Sequence, residues 1–213
     1  EGDEVLIASP YWVSYPEIVK LSDAVPVFIE TNSDTDFKVT GKMLEKHITS
    51  KTKMLLLNSP SNPSGFVYSE ADLKDIGNIL KKHPEIIIAS DDIYEHIIFS
   101  KKNFTNILNV CPELYDQTII LNGVSKAYAM TGWRIGYAAG NKKIIGAMKK
   151  IQSQSTSCTC SVSQSAAIEA LQGNKDEVDI MVKQYQERSE FLHSELNKID
   201  GIEYKKPEGS FYA

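Results

Sequence analysis

The stretch NGVSKAYAMTGWRIGYAAG, from Asn122 to Gly140, sets Lys126 and Arg134 on either side of a run with almost no other charge. A lysine partly withdrawn from water is an amine nucleophile toward carbonyls, although the same residue also caps helices and makes ion pairs. The guanidinium of Arg134 suits two-point binding of a phosphate better than an ammonium does. A second candidate lies in ASDDIYEH, which follows the apolar run EIII and places Asp91 at its end and Tyr94 just beyond. Adjacent acids favour a helix start, yet an acid at the end of a buried strand is costly unless paired, so Asp91 calls for a cationic partner. Asn62 sits in NSPSNPSG after KMLLL, a cluster that by itself reads as a Pro/Gly turn. Trp12, in PYW, fits a core or interface aromatic as well as a ring that stacks on a ligand.

These residues need a frame that brings them together. Six short β-rich runs recur: EVLIASP, AVPVFIET, KMLLLNSP, EIIIASDDIY, QTIILNG and RIGYAAG. Several are continuously apolar, the pattern of strands covered on both faces. Helical patterns alternate with them. SEADLKDIGNILKKH opens on Ser69 as N-cap, carries Leu73, Ile76 and Leu80 on one stripe, and is predicted to run to His83 before Pro84. TGKMLEKHIT is a shorter candidate. Alternation of this kind predicts a mostly parallel α/β sheet, with ligand sites at the carboxyl ends of its strands. Every candidate above follows a predicted strand. Ser125, beside the lysine, is expected to point to the opposite side on an extended backbone. Beyond Asn141 the pattern turns helical, with KKIIGAMKKIQ, SVSQSAAIEALQG and a long run from about Lys175 to Ile199, and the final GIEYKKPEGSFYA reads as extended. A boundary within the long helix divides residues 1–185 from residues 186–213. Both ends read as cuts through a larger fold.

Composition narrows the classes. With 42% apolar and 24% charged residues over 213 positions, the chain has the makings of a packed core, and no apolar run approaches the roughly 20 residues of a membrane span. A net charge of −5 argues against a nucleic-acid binder. Cys111, Cys158 and Cys160 are an odd number, with no Cys/His cluster to hold a metal, and read as reduced thiols of a cytoplasmic protein.

Taken in order, SNPSG, DDIYEH and GVSKAYAMTGWRIG resemble three motifs of the fold-type I aminotransferases that use pyridoxal 5'-phosphate, in the branch of aspartate aminotransferase. The resemblance implies a three-layer α/β/α sandwich with a mostly parallel, mixed sheet as the large, cofactor-binding domain, followed by a truncated piece of a smaller domain. It implies that Lys126 forms the Schiff base with the cofactor aldehyde and moves the proton between substrate Cα and the cofactor. By the same resemblance Asp91 pairs with the pyridine nitrogen and keeps the ring an electron sink. Asn62 and Tyr94 hydrogen-bond its phenolic oxygen, Trp12 stacks on its face, and Arg134 holds its phosphate. Gly123 stands where relatives often carry a phosphate-binding serine, and is expected to offer backbone at most. The implied activity is ping-pong transamination between aspartate, or a related amino acid, and 2-oxoglutarate in a homodimer, without metal. The family's Gly-rich phosphate cradle, its arginine for the substrate α-carboxylate and the residues its neighbouring subunit donates fall outside these 213 positions. The chain alone is therefore expected to be a fragment with little activity. Another pyridoxal-dependent transaminase or lyase, and a silent binding or assembly module, are the alternatives.

Overall fold

The computed structural model describes residues 1–99 and 104–212. Its six predicted runs are six strands of one sheet: β1 (Glu4–Ser9), β2 (Val25–Glu30), β3 (Thr52–Asn58), β4 (Ile87–Asp91), β5 (Thr118–Gly123) and β6 (Gly136–Gly140). Their order is β2-β1-β3-β4-β5-β6, with β1 to β5 parallel and β6 antiparallel on β5. This is the mixed, mostly parallel sheet expected.

The alternation of side chains along a strand explains the layers. Val5 and Ile7 of β1 and Met54 and Leu56 of β3 face one side, where Tyr15 and Val19 of helix α1 (Ser14–Leu21) cover them. Leu6, Leu55 and Leu57 face the other. There they meet Leu44 of α2 (Gly41–His47), Leu73, Ile76 and Leu80 of α3 (Glu70–Leu80), and Ile107 of α4 (Ile107–Val110). Burial of a Leu or Ile side chain is worth roughly 1.5–3 kcal/mol, so strands apolar on both faces are stable only with helices on both.

Helix α3 begins as its sequence dictates. The Ser69 hydroxyl accepts from the Asp72 backbone N–H at 3.2 Å, and the Asp72 carboxylate accepts from Ser69 N–H at 2.8 Å, a reciprocal cap. It ends at Leu80 rather than His83, because residues 81–83 tighten into turns, with Lys82 N–H bonding Ile79 O and His83 N–H bonding Leu80 O. Helices α5 (Lys142–Ser155), α6 (Ser161–Gln172) and α7 (Asp176–Leu196) follow β6, and α7 runs without a break through residue 185.

The C-terminal segment differs from its expected extended form. It makes no strand among the described residues, only an isolated antiparallel bridge between Ile98 and Gly209, and Ala213 lies outside them. Its backbone is satisfied by loops instead: Glu208 and Gly209 N–H groups reach Gly65 O, both at 2.9 Å, and Ser210 N–H reaches Ile97 O at 2.8 Å. Gly65 must be glycine for this, since its φ is +71° and a Cβ would lie 2.5 Å from Pro207 Cβ. No helix among the described residues is long and apolar enough to cross a membrane.

Candidate active site

Because β1, β3, β4 and β5 are parallel neighbours, their carboxyl ends open on one side of the sheet. A cleft of about 210 Å³ lies there, lined by Trp12 and Tyr15 after β1, Asn62 after β3, Asp91 and Tyr94 at the end of β4, and Lys126 after β5. Arg134, Asn58, Ile93, Ser125 and Tyr212 complete its wall. All six residues singled out from sequence are thus gathered around one space. The cleft adjoins the β1/β3 position where strand order reverses, as expected for an open α/β sheet.

Register sets the deep end. Asp91 is the last residue of β4, paired with Asn58 on one side and Leu121 on the other. Asn58 Nδ2 donates to Asp91 O at 2.9 Å, and its Oδ1 accepts from Asn62 N–H at 2.7 Å, so one amide ties the β3 and β4 ends together. The Asp91 carboxylate accepts from the Tyr15 hydroxyl at 2.6 Å and from Ile93 N–H at 3.2 Å. Burial pushes this carboxyl above its ordinary value, against the pull of those two donors and of the Lys126 charge. Asp91 is therefore a partly buried, hydrogen-bonded carboxyl whose ionised form is favoured by its two donors and by Lys126.

Tyr94 is almost fully buried, with its hydroxyl 2.9 Å from that of Tyr212. Burial first, then the Tyr212 hydroxyl and the Asp91 charge, push its phenol up, so it stays protonated and remains a donor. Trp12 is 40% exposed and packs edge-on against Tyr15, with ring centroids 5.3 Å apart. Arg134 has φ +57° and lies exposed at the rim, where Nη1 donates to Thr131 O at 2.8 Å.

One expectation around the lysine changes, and one is sharpened. Ser125 is not turned away: residues 125–128 form a turn rather than extended chain, so both Ser125 and Lys126 line the cleft. Gly123 has no room for a serine, because a Cβ there would sit 2.8 Å from Ile135 O across the β5–β6 ladder. Tyr15, Asn58, Ile93 and Tyr212 were not visible as site residues in the sequence. Tyr15 stands on α1, a helix the strand and helix patterns did not reveal, and no local signal links it to an acid 76 positions away.

Asp92 points elsewhere. It is 1% exposed, accepts from the Ser90 hydroxyl at 2.7 Å and from Asn106 Nδ2 at 3.1 Å, and is pushed up to about 7 by burial, with Glu95 and Asp91 adding repulsion. The folded protein therefore holds this proton more tightly than the unfolded chain. The linked stability is full below an unfolded pKa of about 4 and is lost as pH rises through about 7. Asp92→Asn is expected to remove that fall, so that urea midpoints of the variant at about pH 5 and pH 8 agree more closely than those of the native chain.

The chain belongs to the class I and II aminotransferases, whose family profile matches it from residue 1 to residue 213. It is 54% identical to an aspartate/prephenate aminotransferase of Nitrosomonas europaea, over 100% of this chain and 53% of that protein. It is also 50% identical to an asparagine–oxo-acid transaminase of Streptococcus mutans, over 99% of this chain and 53% of that one. The crystal structure of an aspartate aminotransferase from Rhizobium meliloti matches 98% of this chain with a TM-score of 0.97 at 45% identity, and 52% of that chain is covered. The chain spans about half the length of the curated relatives it matches.

Proposed function

We propose that these 213 residues are the central part of a longer pyridoxal 5'-phosphate-dependent transaminase that moves an amino group from aspartate to 2-oxoglutarate. The observation that carries this is the meeting of Lys126 and the partly buried Asp91 in one cleft at the strand ends. The donor set fits the cofactor: an amine for its aldehyde, a carboxylate for its ring nitrogen, a phenol and an amide for its ring oxygen, a guanidinium for its phosphate and an indole for its face. When bound, the cofactor supplies a cationic ring that accepts the electron pair left at substrate Cα. The protein does the rest. Lys126 Nζ would hold the aldehyde and, once freed by the incoming amine, take the proton from Cα and return it on the other side of the exchange. Asp91 would keep the ring nitrogen protonated. Tyr94 and Asn62 would donate to the ring oxygen, Arg134 would anchor the phosphate at the rim, and Trp12 would cover the ring.

Residues 186–213 would be the linking helix and the start of a smaller second domain. The longer protein is placed in the cytoplasm as a homodimer, its three unpaired thiols fitting a reducing compartment. A coupled assay with aspartate and 2-oxoglutarate tests the activity, with the isolated chain run beside the longer protein. Turnover by the longer protein is expected. No exchange from aspartate would overturn the substrate assignment, and preference for asparagine would move it toward the activity named in the Streptococcus relative.

Tyr15→Phe removes the 2.6 Å donor to Asp91 and nothing else of size. A hydrogen bond to a charged group is worth about 1.5–3 kcal/mol, so turnover is expected to fall about tenfold or more. Losing a donor that favours the ionised carboxylate raises Asp91 further, so the acid limb of the pH–rate profile should move to higher pH. An unmoved limb would show that Tyr15 only packs.

A further inference from the structure

We infer that Tyr212 is a positioning residue of the site: its hydroxyl receives a hydrogen bond from Asn62 and gives its own to Tyr94, which turns the Tyr94 hydrogen into the cleft. The inference rests on the cofactor assignment proposed above and adds to it a residue that arrives from the far end of the chain.

Donor counting carries it. Asn62 Nδ2 lies 3.1 Å from the Tyr212 hydroxyl oxygen, and an amide nitrogen can only donate, so Tyr212 accepts there. The hydrogen of Tyr212 then remains, and the Tyr94 hydroxyl is 2.9 Å away. Either hydroxyl can donate across this contact, and Tyr94 donating holds its own phenol up but spends its hydrogen on Tyr212; an acceptor in the cleft, such as the cofactor's ring oxygen, favours the reverse order. With Tyr212 donating, each hydroxyl both accepts and donates, and the Tyr94 hydrogen is left for an acceptor in the cleft. A phenol that accepts a hydrogen bond is also a stronger donor, because the two polarise each other. Asn62 also acts on the Tyr94 hydroxyl itself, pulling its phenol down.

The placement of Tyr212 is fixed by its neighbours. Its ring lies 5.9 Å from that of Tyr94 and 4.9 Å from that of Phe211, and Phe211 in turn packs against Tyr185 of α7 at 5.3 Å. The preceding backbone is bonded at Gly65 O and Ile97 O. Gly209 permits this approach, since a Cβ there would lie 2.6 Å from Ile97 O.

Donors at the cofactor's ring oxygen draw its negative charge away from the neighbouring nitrogen of the Lys126 linkage, which makes that nitrogen less basic. Weakening the Tyr94 donor should therefore raise the pH at which the visible band of the Lys126-linked cofactor titrates. The test uses the longer protein as wild type, Tyr212→Phe, Tyr94→Phe and the double variant, each checked for borohydride label on Lys126 and then titrated by absorbance. Tyr212→Phe is expected to keep the label and move the midpoint up by about half to one pH unit, with Tyr94→Phe moving it further and the double variant no further than Tyr94→Phe. A Tyr212→Phe midpoint equal to wild type, or additive shifts in the double variant, overturns the role of Tyr212 and leaves the cofactor assignment standing. Wild-type protein with no label on Lys126 overturns both.

Discussion

Lys126→Ala is expected to abolish covalent attachment of the cofactor and to lower transamination by about 10⁴-fold or more, the upper range for a residue that transfers the proton. Among the described residues the cleft holds one other cationic group, Arg134, but a guanidinium forms no such linkage and it lies exposed at the rim. Borohydride reduction followed by peptide mapping reads the result: in the native protein the label falls on the peptide that carries Lys126, and in the variant it disappears. Lys126→Arg separates charge from chemistry. It keeps a cation beside Asp91 and should be as inactive as the alanine variant, because a guanidinium neither forms the linkage nor shuttles the proton. Label on any other lysine of the native protein contradicts the assignment.

Asp91→Asn should leave the label on Lys126 in place while turnover falls by about 10³-fold. Removal of one donor aimed at developing charge commonly costs about 10²–10³ in rate, and Asp91 is an ionic partner in a dry site, where such contacts are strongest. The adjacent acid is the internal control. Asp92 faces Ser90 and Asn106 rather than the cleft, so Asp92→Asn should alter the pH dependence of stability and leave turnover within about threefold, as expected for a residue outside the reacting geometry. A crippled Asp92→Asn beside a mild Asp91→Asn would mean that the chain passes SDDIY in the opposite register.

Much of the architecture was legible because local pattern and global layer agree. The runs EIII and TIIL are apolar on both faces, and the protein covers both faces of that sheet. Leu73, Ile76 and Leu80 repeat at helical spacing, and all three are buried in α3. The gathering of the candidate residues was legible for the same reason: Asp91 ends a strand, Asn62 and Lys126 come soon after one, and parallel strands end on one side. What was hidden depends on distance along the chain. Helix α1 is eight residues long with Pro16 in its first turn, too short for a periodic stripe to declare itself. Tyr15 and Tyr212 look like ordinary aromatics until folding sets one against Asp91 and the other against Asn62. Ser125 was misjudged because a period of two was applied where the backbone had already left the strand. The C-terminal segment has the composition of a strand, yet its partners are loop carbonyls at Gly65 and Ile97, which no local propensity reveals.

The span of the cleft also governs when it comes into being. Its walls are drawn from Trp12 to Tyr212, with Tyr15 bonded to a residue 76 positions later and Asn62 to one 150 positions later. Parallel strands joined by crossovers cannot be paired by local closure, so the loop entropy of most of the chain is spent before the last of these contacts forms. During synthesis at about 5–20 residues per second, the ribosome must release the last of these aromatics well after the lysine has emerged, a delay of about 4–17 s. Throughout that interval the amine is present without its surroundings. A small molecule that binds only the finished cleft would therefore load late in the life of the polypeptide, and would favour the completed fold over every partial one by mass action.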